Sequence, residues 1–196
     1  MLSSNTAQTR IFTQLATQKV LTEWFNILSD RYSKQDEKRI NGRAWRAELR
    51  RMEPPYGVMM CEGYAELRRQ LQQHMALQPV DQMALALFVS VAVHVKNHNS
   101  CLSFAAQLGQ KTNDRPYLSR LRFERLQQAA DPENFCQQLI RAVRLRGDDG
   151  INIVSLADGI FLWMREWQAR EEHQPESIDP FSRNRIRWAN EYLSAR

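Results

Sequence analysis

Apolar residues return every three or four positions through most of this chain, a spacing that predicts helices. Helices are expected over residues 14–28, 42–52, 58–75, 80–96, 102–109, 117–130, 132–146, 154–170 and 181–193. Strand-like alternation is scarce. Asp131 before Pro132 is a strong helix start, an N-cap side chain followed by proline at the first position, and Asp179-Pro180 repeats it. Pro54-Pro55, residues 109–113 and residues 147–150 are breaks, and residues 173–177 form a polar linker. With no internal repeat, the pattern implies an all-α helical bundle of about eight or nine helices. Two lobes are expected, 1–112 and 113–196, divided near residues 110–114. The most apolar run, residues 83–95, is shorter than the ~20 residues of a membrane span and contains Ser90 and His94, so it reads as a buried helix.

Polar positions carry the functional signal. Within the two helix-length segments of residues 115–147 stand Arg115, Arg120, Arg122, Arg125, Arg141, Arg144 and Arg146. In the first, Leu118, Leu121, Leu126 and Ala129 define an apolar arc that also takes in Arg122 and Arg125. A guanidinium there must reach solvent along its stem, pair with an acid such as Glu124, Asp131 or Glu133, or meet a phosphate. In the second segment, Phe135, Leu139, Ala142 and Val143 form a core face from which Arg141 and Arg144 point away, giving a hairpin with a cationic rim. A second basic stripe lies in GRAWRAELRRM, where Arg43, Arg46 and Arg50 fall at i, i+3 and i+7, with Arg51 adjacent. Trp45, Leu49 and Met52 oppose them, so this stripe is expected to face solvent, ready for successive phosphates. Lys96 and Lys111 form a third, weaker group.

Charge distribution sharpens this picture. The net charge is only +5, but residues 31–51 carry eight basic against three acidic residues, and residues 111–146 eight against four. Residues 147–182 reverse the sign with eight acids and two bases. Such segregation suits a polyanionic partner and a basic protein neighbour. Cys61, Cys101 and Cys136 stand singly, without a metal or disulfide pattern, and residues 1–12 lack a signal-peptide pattern, so a reducing cytoplasm is the expected setting. His94 and His98, spaced i, i+4 on the expected helix 80–96, lack the glutamate of a zinc hydrolase and any third ligand. No phosphate-cradling glycine loop and no nucleophile elbow occur, and the Asp148-Asp149 pair reads as a turn. The chain is expected to be neither an enzyme nor a cofactor protein. Alternatives left open by the residues are a helical adaptor acting only through protein contacts, and a helix-turn-helix regulator built around Gly109.

An ordered series of segments resembles the CasB family, the small subunit of the type I-E CRISPR surveillance complex Cascade. It comprises LSRLRFERLQQA, a helix opening at DPENF and running through LIRAVRLRG, then INIVSLADGIFLWMREW and the terminal IRWANEYL. The likeness reaches upstream into GRAWRAELRRMEPP and so covers roughly residues 41–196. That resemblance implies a non-catalytic subunit set along the inner face of Cascade beside another copy of itself and the backbone subunits. Its partners would be the CRISPR RNA (crRNA) and target DNA, their duplex steadied and the displaced strand given a basic path. Sequence would be read by base pairing, leaving backbone contact to the protein. The acidic and apolar segment 151–176 is the expected surface for neighbouring subunits. No membrane partner is implied.

Overall fold

The computed structural model of the chain describes residues 10–30, 33–35 and 38–195. Residues 1–9, and residues 31, 32, 36 and 37 of the expected basic stretch, lie outside the described residues. The element order is α1 (Leu15–Ile27), a hairpin of β1 (Ser33–Gln35) and β2 (Lys38–Ile40), α2 (Gly42–Arg51), α3 (Glu62–Gln72), α4 (Pro79–Ala92), α5 (Phe104–Gly109), a hairpin of β3 (Lys111–Thr112) and β4 (Arg115–Pro116), α6 (Arg120–Gln127), α7 (Pro132–Arg146), α8 (Ile153–Glu171) and α9 (Asn184–Ser194). The fold is mainly helical. Every expected helix is present, most with trimmed ends, and the two small hairpins are additions that the periodicity did not signal.

Helix α4 sits at the centre. Residues 84–92 are buried without interruption, so this helix is covered on all sides, by α8 and α7 most extensively and by α2 and α3 as well. Its N-terminus is closed by Asp81, whose buried carboxylate accepts from the Gln78 backbone N–H at 3.1 Å and from Arg165 of α8 at 2.8 and 3.1 Å. A second buried carboxylate, Asp158 of α8, accepts from the Ile11 and Phe12 amides at 2.5 and 3.2 Å and pairs with Arg187 of α9 at 2.6 Å. One carboxylate thereby ties both residues 11–12 and α9 to α8.

The tryptophans of α8 and α9 belong to the core. Trp163 stacks on Phe135 at 4.0 Å, Trp188 meets Phe104 edge-on at 5.3 Å, and Trp167 is half-buried against the same cluster. The core continues from Phe12 to Tyr192. Residue 112, the expected lobe boundary, lies in the β3–β4 hairpin, turned by Asn113 and Asp114 at φ 52° and 60°. On either side of that hairpin α5 packs against α9, and Tyr192 Oη donates to the Leu118 carbonyl at 2.6 Å.

Two expectations are corrected, and one alternative loses its basis. Segment 151–176 is not an open surface: α8 is largely buried from Ile153 to Met164, and only its distal end and the following loop expose acids. His94 and His98 do not share a helix, because α4 ends at Ala92. Between α5 and α6 lies a hairpin rather than the short turn of a helix-turn-helix.

Gly159 permits the close approach of α9 to α8, since a Cβ there would come within 2.3 Å of the Trp188 ring. Gly159→Ala should therefore lower stability by about 1–3 kcal/mol, as overpacking does. Urea unfolding measures this directly, and a change below ~0.5 kcal/mol would mean that Trp188 repacks freely.

Candidate nucleic-acid interface

The basic residues divide into those the fold consumes and those it leaves at the surface. Arg46 and Arg50 of α2 reach the turn that follows α4, where backbone carbonyls have outrun their helical donors. Arg50 Nε donates to the Val93 carbonyl at 2.8 Å and Arg46 Nη2 to that of Val95 at 2.7 Å. Positive charge at a helix C-terminus also complements its dipole. Arg46 lies over the Phe25 ring at 5.4 Å, and burial, then Arg50, lowers its pKa. The stripe expected to face solvent is thus exposed at Arg43 and Arg50 and half-buried at Arg46.

Arg146 departs furthest from expectation. It is buried, with Nε donating to the Gly150 carbonyl at 3.2 Å and Nη1 to the Gln107 carbonyl and Gln110 Oε1 at 3.1 and 2.9 Å. Its guanidinium covers the Tyr117 ring at 4.2 Å. Burial lowers its pKa, with Tyr117 and Asp149 acting the other way. This side chain ties the end of α7 to α5, a structural role that its position beside exposed Arg144 did not reveal.

Of the expected apolar arc, Leu118, Leu126 and Ala129 are buried, but α6 turns Phe123 inward in place of Leu121. Phe123 and Leu126 are buried, Phe123 stacking on Tyr192 at 4.0 Å, while Leu121 is 60% exposed and both Arg122 and Arg125 stand in solvent. Leu118 precedes the helix. Burying one phenyl ring while leaving two guanidinium groups hydrated outweighs burying Leu121. The bridges considered for these arginines are also not made: Glu124 pairs with Arg120 at 3.0 Å, and Asp131 caps α7 by accepting from the Asn134 amide at 2.7 Å. Arg141 and Arg144 point outward from α7, opposite buried Phe135, Leu139, Ala142 and Val143, as the spacing predicts.

Two adjoining grooves result. One, of about 470 Å³ between α6 and α7, is lined by Leu118, Arg122, Arg125, Gln138, Arg141, Arg144 and Leu145. The other, of about 440 Å³, is lined by Arg50, His94, Lys96, Val143, Arg144 and Gly147. Arg144 belongs to both, and among the described residues neither lining contains a carboxylate. Arg43, Arg51, Lys111, Arg115 and Arg120 are exposed but outside both linings.

His94 organises the junction. Arg144 Nη2 meets its Nδ1 at 3.1 Å, so the ring accepts there as a neutral imidazole. Burial first, and then Arg144, Arg50 and Arg46, push its pKa down to about 4. His98 is lowered too, chiefly by burial, and its Nδ1 accepts from the Ile153 amide at 3.3 Å. Among the described residues no cluster of His, Cys, Asp or Glu suited to a metal occurs, and no helix is long and apolar enough to cross a membrane. His94 had drawn notice only as half of a possible metal pair. Its contact with Arg144, 50 residues away, leaves no trace in local spacing.

Arg46→Ala should lower stability by about 1–3 kcal/mol, since it strands a carbonyl and uncovers Phe25, whereas Arg43→Ala should stay within ~0.5 kcal/mol. Equal effects in chemical denaturation would contradict the division between them. His94 also makes stability depend on pH. Its folded pKa lies below the unfolded value of ~6.5, so the unfolded chain takes up its proton first as pH falls. The contribution is complete above ~6.5 and is lost progressively towards about 4. His94→Gln should narrow the stability difference between pH 7 and pH 4.5, and an unchanged difference would refute a neutral His94.

Residues 45–193 match the family described as CRISPR-associated protein Cse2, a stretch that begins at Trp45 and takes in both grooves. No match is found among curated proteins or solved structures.

Proposed function

Because the chain belongs to the Cse2 family, the CasB small subunit of type I-E CRISPR Cascade complexes, we propose that it is a non-catalytic subunit that grips nucleic-acid backbone along the paired grooves. The observation that carries this reading is Arg144, shared by two grooves whose linings hold five arginines and a lysine without a carboxylate. Arg122, Arg125 and Arg141 are paired with no acid among the described residues, so they remain available to phosphate oxygens. Leu118 and Leu145 give the first groove an apolar floor suited to sugar and base edges. No base-reading constellation accompanies the arginines, which accords with a protein that leaves sequence discrimination to the guide RNA.

In this reading the subunit steadies the crRNA–target duplex or carries the displaced strand within a cytoplasmic complex, beside a second copy and the backbone subunits. The exposed acids at Glu171, Glu172 and Glu176 repel phosphate and lie in a part of the chain better suited to protein neighbours. No catalytic step is assigned to it.

The test is a charge reversal inside the grooves. Arg125→Glu with Arg144→Glu should leave folding nearly unchanged, because both side chains are exposed. It should weaken oligonucleotide binding at least roughly tenfold at low salt. The dependence of log affinity on log salt should flatten by about 0.7 per lost contact on single strands, or 0.9 on duplex. Unaltered binding and slope would leave a helical adaptor acting through protein contacts as the better account.

A further inference from the structure

The turn between α7 and α8 presents two carboxylates with different fates. Asp149 accepts from Tyr117 Oη and is part of the packing around Arg146. Among the described residues the side chain of Asp148 has a single partner, Lys96 Nζ at 3.1 Å, and the two side chains remain 86% and 59% exposed. Nothing in the core requires that pair.

Its setting is nonetheless rigid. Gly147 and Gly150 take φ values of 51° and 74°, and a Cβ on Gly150 would lie 2.6 Å from the Asn97 carbonyl. Asn97 Nδ2 donates to the Asp148 carbonyl and Asn99 Nδ2 to that of Asp149, each at 2.9 Å. Backbone bonds between Ile151 and both Asn97 and Asn99 complete the clasp. The turn therefore holds the Asp148 carboxylate on Lys96, at the edge of a groove whose lining among the described residues is free of acid.

We infer that Asp148 is a built-in competitor for phosphate: its carboxylate occupies Lys96 in the free protein and is exchanged for a backbone phosphate when nucleic acid enters the groove. The inference rests on the phosphate-binding reading of that groove and adds to it a residue that sets affinity. The exchange is feasible because an exposed ion pair contributes little, so a phosphate also held by Arg144 can outcompete it. It has a cost to the complex, since the released carboxylate stays near the bound anion. The consequence is grip deliberately weaker than the arginines alone would give, and a salt dependence one contact shallower, because Lys96 swaps one anion for another.

Asp148→Asn keeps the backbone bonds of the turn and removes only the charge. Binding of a mixed-sequence single-stranded oligonucleotide to the intact chain at fixed low salt should tighten about two- to fivefold. The salt slope should steepen by up to about 0.7. Generic removal of negative charge would also tighten binding, so Lys96 supplies the control. In a Lys96→Gln background the gain from Asp148→Asn should largely vanish. No gain, or an equal gain in both backgrounds, overturns the inference. The Arg125→Glu, Arg144→Glu variant separates the two levels. If it weakens binding while Asp148→Asn does nothing, only the competitor is wrong; if neither changes binding, the groove itself is wrong.

Discussion

Covering α4 on every side is the requirement around which this chain is built. A helix buried all round needs neighbours in all directions, and it also needs partners for the backbone groups that its two ends leave unmatched. At the N-terminal end Asp81 supplies an acceptor and Arg165 neutralises it. At the C-terminal end two guanidinium groups from α2 serve the carbonyls of Val93 and Val95. Apolar burial thus dictates where charged residues must stand.

That solution brings α2 close to α7 and sets up the basic surface. The capping arginines keep part of their guanidinium groups near solvent, Arg50 exposed and Arg46 half-buried, which limits the cost of desolvating them. Arg50 satisfies its carbonyl and still lines a groove, so one residue serves both the helix end and the surface. His94 is wedged among Arg46, Arg50 and Arg144 and remains neutral, which allows three cations to gather without a fourth charge between them. A protonated ring there would push Arg144 out of the junction.

Acids show the complementary logic. Asp81 and Asp158 are taken into the interior, each paired with an arginine, Asp81 accepting one backbone amide and Asp158 two, and Glu166 accepts from the Asn184 amide at 2.7 Å while burial raises its pKa. The acids of α6 and α7, Glu124, Asp131 and Glu133, stand outside both groove linings. The surface field there is consequently more positive than a net charge of +5 would suggest. Of the acids in residues 147–182, Asp158 and Glu166 are spent on internal joints, and Asp148 pairs with Lys96 at the edge of a basic groove.

The sequence by itself determined the helices, their order and the outward direction of Arg141 and Arg144, because 3.6-residue periodicity and an Asp-Pro start act over a few residues and need no distant partner. It also carried the family likeness, which depends on the order of local segments. What only tertiary structure decided is which arginines are free. Arg46, Arg50 and Arg146 find their carbonyl partners 36 to 49 residues away or across a glycine turn, and α6 chose its buried face from the pull of Tyr192 on Phe123. A guanidinium looks the same in any local window. Its role is set by the polar groups that folding brings within hydrogen-bond reach, since desolvation is tolerated only where such groups replace the water.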